Sequence, residues 1–184
     1  MLKLQFTPFP ELRSERLNLR QVLESDIDEV CELRSDEETM RYIPRHLAQT
    51  REHALEHIHQ INQEIDTNKS INWGISLAGS DKLIGLIGLV RIKASSHRAE
   101  IGYILHQNYR GRGIMTEALG TILNYAFNTL DFNSVIAVID PNNESSKKLL
   151  ERNRFKKEAH LRENILYQGE FRDTAIYGLL KKEY

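Results

Sequence analysis

The alternation of hydrophobic and polar positions in the first third of the chain predicts one strand followed by two helices. "RLNLRQV" alternates apolar and polar residues, as a half-buried strand does. "SDID" follows, and Ser25 with Asp28 three residues later predicts a capped helix that reaches about Leu33. Residues 35–49 are polar and irregular. Thr50 then begins a second helix, whose apolar residues recur at intervals of three or four: Ala54, Leu55, Ile58, Ile61 and Ile65.

The pattern changes after Asn68 to strands separated by short polar turns. "INWGISL", "KLIGLIGLVRI" and "RAEIGYIL" predict an antiparallel meander. A helix follows over about residues 114–129, and "SVIAVI" is then apolar throughout, as strands inside a sheet are. "DPNNESSKKLLERN" predicts a turn and a helix, and the remaining chain predicts two long strands joined around Gln168 and Gly169.

The order of these elements predicts a mixed α/β (α+β) fold with about seven strands and about four helices. Three strands precede the strand, helix and strand that would form a parallel crossover. A doubly wound sheet would need a helix between each pair of strands, so we expect a mostly antiparallel central sheet. No linker rich in Gly, Pro or Ser divides the chain, which predicts a single domain over residues 1–184.

Composition and charge narrow the classes of protein that fit this pattern. Lys and Arg number 25 against 26 for Asp and Glu, so the chain lacks the basic excess typical of nucleic-acid binding. The longest apolar run, "LIGLIGLV", is too short to span a bilayer, and the N-terminus lacks the pattern of a secretion signal. The single Cys31, in a predicted helix, fits a core position and a reducing compartment. We therefore expect a cytoplasmic protein that binds neither nucleic acid nor a membrane.

The segment "NYRGRGIMTEA" lies between a predicted strand and a predicted helix. Gly111 and Gly113 would let the backbone approach a ligand closely, and the helix N-terminus would favour an anion. Arg110 and Arg112 would add positive charge, so the loop predicts a phosphate site; the alternative is a tight turn with two solvated arginines. The dinucleotide fingerprint lacks its third glycine here, and no G-x-x-x-x-G-K-[ST] run occurs.

The longer segment "IGYILHQNYRGRGIMTEAL" resembles the acetyl-CoA-binding segment of the GNAT acetyltransferase superfamily. The family pattern is Arg or Gln, two residues, Gly, one residue, then Gly or Ala; Arg110 and Gly113 match it, and Met115 departs from the small residue. "LRSERLNLRQVLESDIDEVCEL", "NNESSKKLLERNRF" and "LRENILYQGEFRDTAIYGLL" are similar to further segments of the branch that contains the ribosomal-protein N-terminal acetyltransferases. The resemblance covers nearly the whole chain in the right order.

The resemblance implies how such a chain would hold acetyl-CoA as its cosubstrate, without a metal. The strand "RAEIGYIL" would splay from "SVIAVI", and the pantetheine arm would lie in the gap. Ile104, Leu105 and His106 would offer backbone groups to it, and one amide would stabilise the negative charge that develops on the thioester oxygen. The pyrophosphate would be wrapped by Arg110, Gly111, Arg112, Gly113, Ile114, Met115 and Thr116. Asn143 would contact the coenzyme further along.

Glu100 is the candidate general base, because a carboxylate within an apolar strand is costly unless it is used or paired. A raised pKa at Glu100 would suit proton transfer from the acceptor amine through water. The alternatives are an ion pair with Arg98 or Arg91, or a solvated strand end.

Ser146 is the candidate to donate a hydrogen bond or a proton to the leaving thiolate, by resemblance to the Asn-x-x-Ser segment of the family. The alternative is that Asn143 caps the helix and Ser146 only lies in its first turn. Many relatives, spermidine acetyltransferases among them, have a tyrosine where this chain has Leu150. Arg154 stands where the family usually has Gly before Phe155, and we expect this to affect a turn more than the chemistry.

The acceptor pocket is expected between the loop that joins the first two helices and the last hairpin. Its candidate residues are Tyr42, Arg45, His46, Trp73 and Tyr167, with Trp73 favoured as a core residue. His53 and His57 are spaced as a ligand pair, but no further ligand completes a metal site, and a solvated helix face with His59 is favoured.

The expected reaction is direct transfer of the acetyl group to a primary amine. The α-amino group of a protein, such as a ribosomal protein, is the first candidate acceptor. Two alternatives stay open: a small amine (a polyamine, an aminoglycoside or a toxic metabolite), and a coenzyme-binding module without activity. A homodimer through the final hairpin is an alternative to that hairpin closing the core.

Overall fold

A computed structural model describes residues 2–184 as one mixed sheet with helices on both faces. The strands are β1 Leu12–Arg13, β2 Leu17–Arg20, β3 Ile71–Leu77, β4 Leu83–Lys93, β5 Arg98–Leu105, β6 Ser134–Ile139, β7 Lys156–Tyr167 and β8 Glu170–Leu180. The helices are α1 Ile27–Ser35, α2 Glu37–Met40, α3 Arg51–Asp66, α4 Ile114–Asn124 and α5 Glu144–Arg152. No helix of the described residues is long and apolar enough to cross a membrane.

The sheet has the order β1-β2-β3-β4-β5-β6-β8-β7. The predicted meander of β3, β4 and β5 is confirmed, as is the interior position of β6 between β5 and β8. β5 and β6 pair in parallel, across the crossover through α4, and the other neighbouring strands described are antiparallel. The mixed, mostly antiparallel fold is therefore confirmed, with one strand more than predicted. The additional strand is the two-residue β1, which is too short to leave an alternating pattern.

One of the five helices, α2, lies inside the segment that we predicted to be irregular. The Asp36 side chain accepts a hydrogen bond from the Thr39 N–H at 2.8 Å and thereby caps this single turn. The expected cap of α1 at Ser25 is wrong. Asp26, which is 5% exposed, accepts from the Leu23 N–H at 2.8 Å and from the Arg20 guanidinium, so the chain forms a 3-10 turn before α1 begins.

Hydrophobic side chains cover the sheet on both faces. Ile87 of β4 packs in the cluster that contains the buried face of α4, whereas its neighbour Leu86 packs with residues of α1 and α3. Trp73 is fully buried in the first cluster, and its Nε1–H donates to the Pro10 carbonyl at 2.7 Å, which confirms the predicted core position. Cys31 lies partly buried against the second cluster. The last turn of the predicted helix over 114–129 widens into a π-helix, with a hydrogen bond from the Leu130 N–H to the Tyr125 carbonyl.

The parallel pair of β5 and β6 is short, and this opens the sheet. Pairing runs from Arg98 opposite Ser134 to Glu100 opposite Ile136 and then stops. Within residues 2–184, the part of β5 beyond Glu100 therefore has a strand on the β4 side only. The splay that the resemblance implied is present in the fold.

The β7–β8 hairpin turns at Gln168 and Gly169, as predicted. Both residues have positive φ. Its outer part exposes Leu161, Leu166 and Phe171, while Tyr177 nearer the sheet is buried. Arg154, where the family usually has Gly, adopts a φ of 66°. This left-handed backbone explains why glycine suits the position, since a side chain there is strained.

Candidate active site

The opening between β5 and β6 leads into a cleft of about 660 Å³. At one end, the cleft is lined by Tyr103 and Ile104, which belong to the strand end that continues into the glycine loop. We call residues 103–116 the coenzyme half. The other end is framed by α1, the loop over residues 41–49, α3 and the β7–β8 hairpin, which we call the acceptor half. Glu100, Tyr103, Asn143 and Ser146 line the cleft between them.

The backbone of β5 offers its groups alternately to β4 and to the open side. The His106 N–H donates to the Ile84 carbonyl at 2.9 Å. Since bonded residues alternate in an antiparallel pair and Ile104 lies opposite Leu86, the backbone groups of Ile104 also face β4. Those of Tyr103 and Leu105 face the opening. The expectation that Ile104 and His106 offer backbone groups to the coenzyme is thus corrected, because both are used within the sheet.

The glycine loop presents a row of backbone N–H groups without partners. Gly111 and Gly113 have φ of 75° and 73°, and Gly113 precedes the first residue of α4. Within residues 2–184, none of the N–H groups of residues 111–116 donates a hydrogen bond to the loop or to a side chain, while the Glu117 N–H donates to the Gly113 carbonyl. Converging N–H groups at a helix N-terminus suit a phosphate, so these residues fit the pyrophosphate of acetyl-CoA.

The side chains of the glycine loop fix its position and add positive charge. Arg110 donates to the Leu105 carbonyl at 3.2 Å and to the Thr39 hydroxyl at 2.8 Å, which ties the loop to α2. The Arg112 guanidinium lies exposed, 5.8 Å from the centre of the Tyr109 ring. Met115 is 9% exposed and packs in the core cluster, which explains a large residue at a position where the family pattern has a small one. Thr116 is exposed in the first turn of α4.

The start of α4 is held against the sheet edge by charge. Glu117, in the first turn, accepts from the Arg16 Nε–H at 2.6 Å and from the Ser14 hydroxyl at 2.7 Å. Arg16 also donates to the Arg112 carbonyl at 3.0 Å. These contacts fix the loop from outside, so its inward N–H groups are positioned before any ligand arrives.

Glu100 lies on β5 where the pairing with β6 ends. Its side chain is 13% exposed and forms an ion pair with Arg91. Glu100 therefore has the ion-pair partner that one alternative predicted, and it also lines the cleft. Burial raises the pKa of Glu100 above its ordinary value, and Arg91 opposes that shift. A carboxylate with a raised pKa at this point can accept a proton from an amine in the cleft.

Ser146 and Tyr103 share a hydrogen bond of 2.6 Å in the floor of the cleft. Ser146 is 5% exposed, and Asn143 caps α5 by accepting from the Ser146 N–H at 3.0 Å. Burial raises the pKa of Tyr103 to about 12, so its phenol stays protonated at neutral pH. Leu150, where many relatives have tyrosine, is fully buried in the core.

Sequence reasoning missed Tyr103. The signal that would have found it is a tyrosine inside an apolar strand, because a buried phenol needs a hydrogen-bonding partner. It lies on the strand that also carries Glu100, and its partner, Ser146, comes from a helix that begins about forty residues later.

The residues expected in the acceptor pocket divide into three groups. Tyr42 and Arg45 line the cleft. Tyr167 donates its hydroxyl proton to the Arg45 carbonyl at 2.8 Å, and its ring centre is 6.0 Å from that of His46. Tyr167 and His46 join the hairpin to the loop over residues 41–49 without lining the cleft. Trp73 lies in the core.

The three histidines of α3 have different surroundings. His53 accepts from the Gln49 N–H at 3.3 Å, and His59 contacts Glu24 at 2.7 Å, both in exposed positions. His57 instead lines the cleft, where burial, together with Arg34 and Arg45, lowers its pKa to about 3. Among residues 2–184, no three metal-ligating side chains are grouped as a site.

Comparison with known proteins agrees with this geometry. The family model described as "Acetyltransferase (GNAT) domain" matches residues 16–156. The chain is 34% identical over 173 residues to the uncharacterized N-acetyltransferase p20 of Bacillus licheniformis, with 94% of this chain and 97% of that protein covered. It is 26% identical over 125 residues to the [ribosomal protein uS5]-alanine N-acetyltransferase of Escherichia coli, with 67% and 64% covered.

The fold has a solved counterpart. The crystal structure of an acetyltransferase (GNAT family) from Bacillus anthracis superposes with a TM-score of 0.85 at 26% identity, covering 95% of this chain and 100% of that chain. The matched residues 16–156 include the open edge of β5, the glycine loop and Ser146. The chain therefore belongs to the GNAT family of N-acetyltransferases and is an acyltransferase that uses acetyl-CoA.

Proposed function

We propose that the chain, as a single domain over residues 1–184, transfers the acetyl group to the N-terminal α-amino group of a protein. A ribosomal protein is the first acceptor to test, since the Escherichia coli relative is named for one; such an acceptor would place the reaction in the cytoplasm. The observation that carries the proposal is a roomy cleft that contains Glu100, with its raised pKa, beside the open edge of β5. An extended peptide end has room to enter from the acceptor half.

The coenzyme half would bind and orient the donor. Acetyl-CoA supplies an acetyl group activated as a thioester. The N–H groups of residues 111–116 and the charge of Arg112 would hold its pyrophosphate, with Asn143 beside the arm as the α5 cap. The backbone of Tyr103 and Leu105 would bind the pantetheine arm as a further strand would, and a backbone N–H there is suited to stabilise negative charge on the thioester oxygen.

The proton transfers fall to two groups on either side of the reacting atoms. An α-amino group has a pKa of about 8, so a modest base suffices to keep it neutral. Glu100 would accept that proton, directly or through water. On the other side, Ser146 would donate its proton to the leaving thiolate and take a proton from the phenol of Tyr103, which is protonated at neutral pH. The phenolate would then recover a proton from water in the cleft.

A small amine is the second candidate acceptor. Among small amines, polyamines are the class that the cleft favours least. A polycation is disfavoured by the charge of the cleft, where five Lys and Arg side chains (Arg34, Arg45, Lys69, Arg91 and Arg172) stand against four carboxylates. One of those carboxylates, Glu100, is already paired with Arg91. Leu150 also lacks the hydroxyl that many spermidine acetyltransferases carry at this place.

The test is thiol release from acetyl-CoA with two acceptor sets. One set is short peptides with free N-terminal Ala, Ser or Met, each matched by the same peptide with a blocked N-terminus; the other is polyamines and aminoglycosides. We expect release with the free peptides only, and mass spectrometry should locate the acetyl group on the α-nitrogen. Release with small amines alone would overturn the acceptor, and acetyl-CoA binding without release in either set would favour a silent coenzyme-binding module.

A further inference from the structure

Three basic side chains from separate elements meet in the acceptor half. Arg34 of α1, Arg45 of the loop over residues 41–49, and His57 of α3 all line the cleft. We call this cluster the basic subsite. The loop that carries Arg45 is held in place at two points, since the Ala48 N–H donates to the Arg34 carbonyl at 2.9 Å and the Tyr167 hydroxyl donates to the Arg45 carbonyl.

The two arginines of the basic subsite are not paired with a carboxylate. Within residues 2–184, neither Arg34 nor Arg45 forms a salt bridge. The acidic side chains of the cleft contact other groups: Glu64 contacts Ser70 at 2.5 Å, Glu100 contacts Arg91, Asp140 contacts Asn142 at 2.8 Å and Asp173 contacts His160 at 2.6 Å. Both guanidinium groups therefore keep their hydrogen-bond donors available to an anionic ligand.

The two arginines repel each other in a partly desolvated place. Arg34 is half-buried, and burial, followed by the charge of Arg45, lowers its pKa. His57 stays neutral at physiological pH, so it adds no third charge but keeps a ring N–H that can donate. Such a cluster is unfavourable when empty and favourable around an anion, and arginine binds a carboxylate through two parallel hydrogen bonds.

The position of the basic subsite indicates that an anion bound there belongs to the acceptor and not to the coenzyme. The charge of Arg45 acts on Glu100, so it lies within electrostatic reach of the candidate base. The glycine loop instead follows the opposite end of β5, beyond Leu105, where Arg110 is tied to Thr39. An anion in the basic subsite thus belongs to the molecule whose amine reaches Glu100.

We propose that the basic subsite of Arg34, Arg45 and His57 recognises a carboxylate near the amine of the acceptor. This rests on the proposed function, in which the acceptor is a protein N-terminus, and it narrows that class to N-termini with Asp or Glu within the first few residues. The carboxylate would anchor the peptide in the acceptor half while its α-amino group lies at Glu100.

The test uses peptide sets that differ only in one side chain. Each set keeps the same N-terminal residue and places Asp, Asn or Lys at the second, third or fourth position, and kcat/KM for thiol release is compared. We expect the best Asp peptide to exceed its Asn match by about tenfold, as a charge-assisted bidentate contact allows, and to exceed its Lys match by more.

Variants assign the preference to the basic subsite. Arg45→Gln, on an exposed loop, and Arg34→Gln should each reduce the ratio of kcat/KM for the Asp and Asn peptides to near unity, while the acetyl-CoA Kd changes little. Arg41→Gln, from the same segment but outside the cleft lining, should keep the preference. Equal kcat/KM for Asp and Asn peptides with the unaltered protein, or a preference that survives both variants, would overturn the subsite.

A failure of the proposed function can be distinguished from a failure of the basic subsite. If no peptide yields thiol, calorimetric affinities of the same Asp and Asn peptides in the presence of coenzyme A still decide the subsite. Tighter binding of the Asp peptide that disappears in Arg45→Gln would support it, and equal or undetectable binding of both would overturn it.

Discussion

The coenzyme half and the acceptor half of the cleft are built in opposite ways. The coenzyme half comes from one continuous segment, residues 103–116, in which strand end, glycine loop and helix start follow directly. The acceptor half combines α1, the loop over residues 41–49, α3 and the distant β7–β8 hairpin. In the first, backbone N–H groups without partners are suited to bind the coenzyme; in the second, we propose that side-chain charges bind the acceptor. The difference teaches that a backbone site for a fixed ligand can be local, whereas a site for a variable ligand is assembled from loops and surfaces.

The most damaging change should be one at the junction of the two halves. Glu100→Gln removes the candidate base, and we expect kcat to fall by about 10²-fold or more while acetyl-CoA and acceptor affinities change little. Because burial raises the pKa of Glu100, the unaltered protein should lose activity as pH falls through a pKa above the ordinary 4.5, and the variant should lack that acid limb. A pH series of kcat measures both.

Glu64→Gln is the matched control, because Glu64 also lines the cleft but is bound to Ser70. Unchanged kcat and an unchanged pH profile in Glu100→Gln would remove Glu100 as the base and leave proton transfer to water alone.

The coenzyme half alone should be affected by a change at Gly113. Its φ of 73° is unfavourable for a residue with a branched side chain, so Gly113→Val should shift the first N–H groups of α4. We expect acetyl-CoA to bind at least about tenfold more weakly, which corresponds to about 1.4 kcal/mol, as measured by calorimetry.

Gly79→Val provides equal backbone strain at a φ of 82° in the turn before β4, away from the loop. If both variants bind acetyl-CoA as tightly as the unaltered protein, the N–H groups of this loop do not hold the pyrophosphate.

Substitutions at the candidate proton donor, Ser146, and at its partner, Tyr103, should reduce kcat less than the change at Glu100. Ser146→Ala should reduce kcat about tenfold or more, and Tyr103→Phe should reduce it less, since the phenol acts through Ser146. The reduction should shrink when a thioester with a more acidic thiol replaces acetyl-CoA, because that leaving group needs less protonation. Steady-state rates with both donors measure this, and equal losses with the two thioesters would argue that Ser146 and Tyr103 only shape the cleft.

The last expected effect concerns the stability of the acceptor half rather than catalysis. Unfolded His57 binds a proton below pH 6.5, whereas the folded protein does so only below about 3. Stability contributed by neutral His57 is thus full above pH 6.5 and is lost on acidification, with a slope of at most about 1.4 kcal/mol per pH unit. His57→Gln should flatten this decline in urea unfolding at pH 4.5 and 6.5. His53→Gln, exposed on the same helix, should not, and equal slopes for all three proteins would contradict the assignment.

The sequence predicted what local patterns encode. The meander, the crossover, the cap at Thr50 and the core position of Trp73 follow from periodicity and short-range chemistry, and the structure confirms each. The misplacement of the α1 cap has a cause outside the capping motif, since Asp26 pairs with Arg20 of the preceding strand, six residues earlier. Which backbone groups of β5 face the opening depends on its register with β4, and no single-strand pattern reveals a register.

The site could be predicted only as far as it is continuous in the chain. Tyr103 and Ser146 lie 43 positions apart, and the basic subsite joins a helix, a loop and another helix. Arg34 looks like an ordinary residue on the polar face of α1. The role that we propose for it depends on Arg45 and His57, which the fold brings to it, and on the absence of a salt bridge to Arg34 among the described residues.

Trp73 gives the protein a built-in optical probe of its fold. It is the single tryptophan, it is fully buried, and its indole N–H bonds to the Pro10 carbonyl in the segment before β1. Neighbouring side chains of a strand point to opposite faces, so Trp73 faces away from the cleft that Asn72 lines. Its emission should shift to the red when the N-terminal segment detaches or the core opens, and should stay nearly constant when a ligand enters the cleft. Intrinsic fluorescence can therefore certify that each variant is folded, independently of its ligand binding.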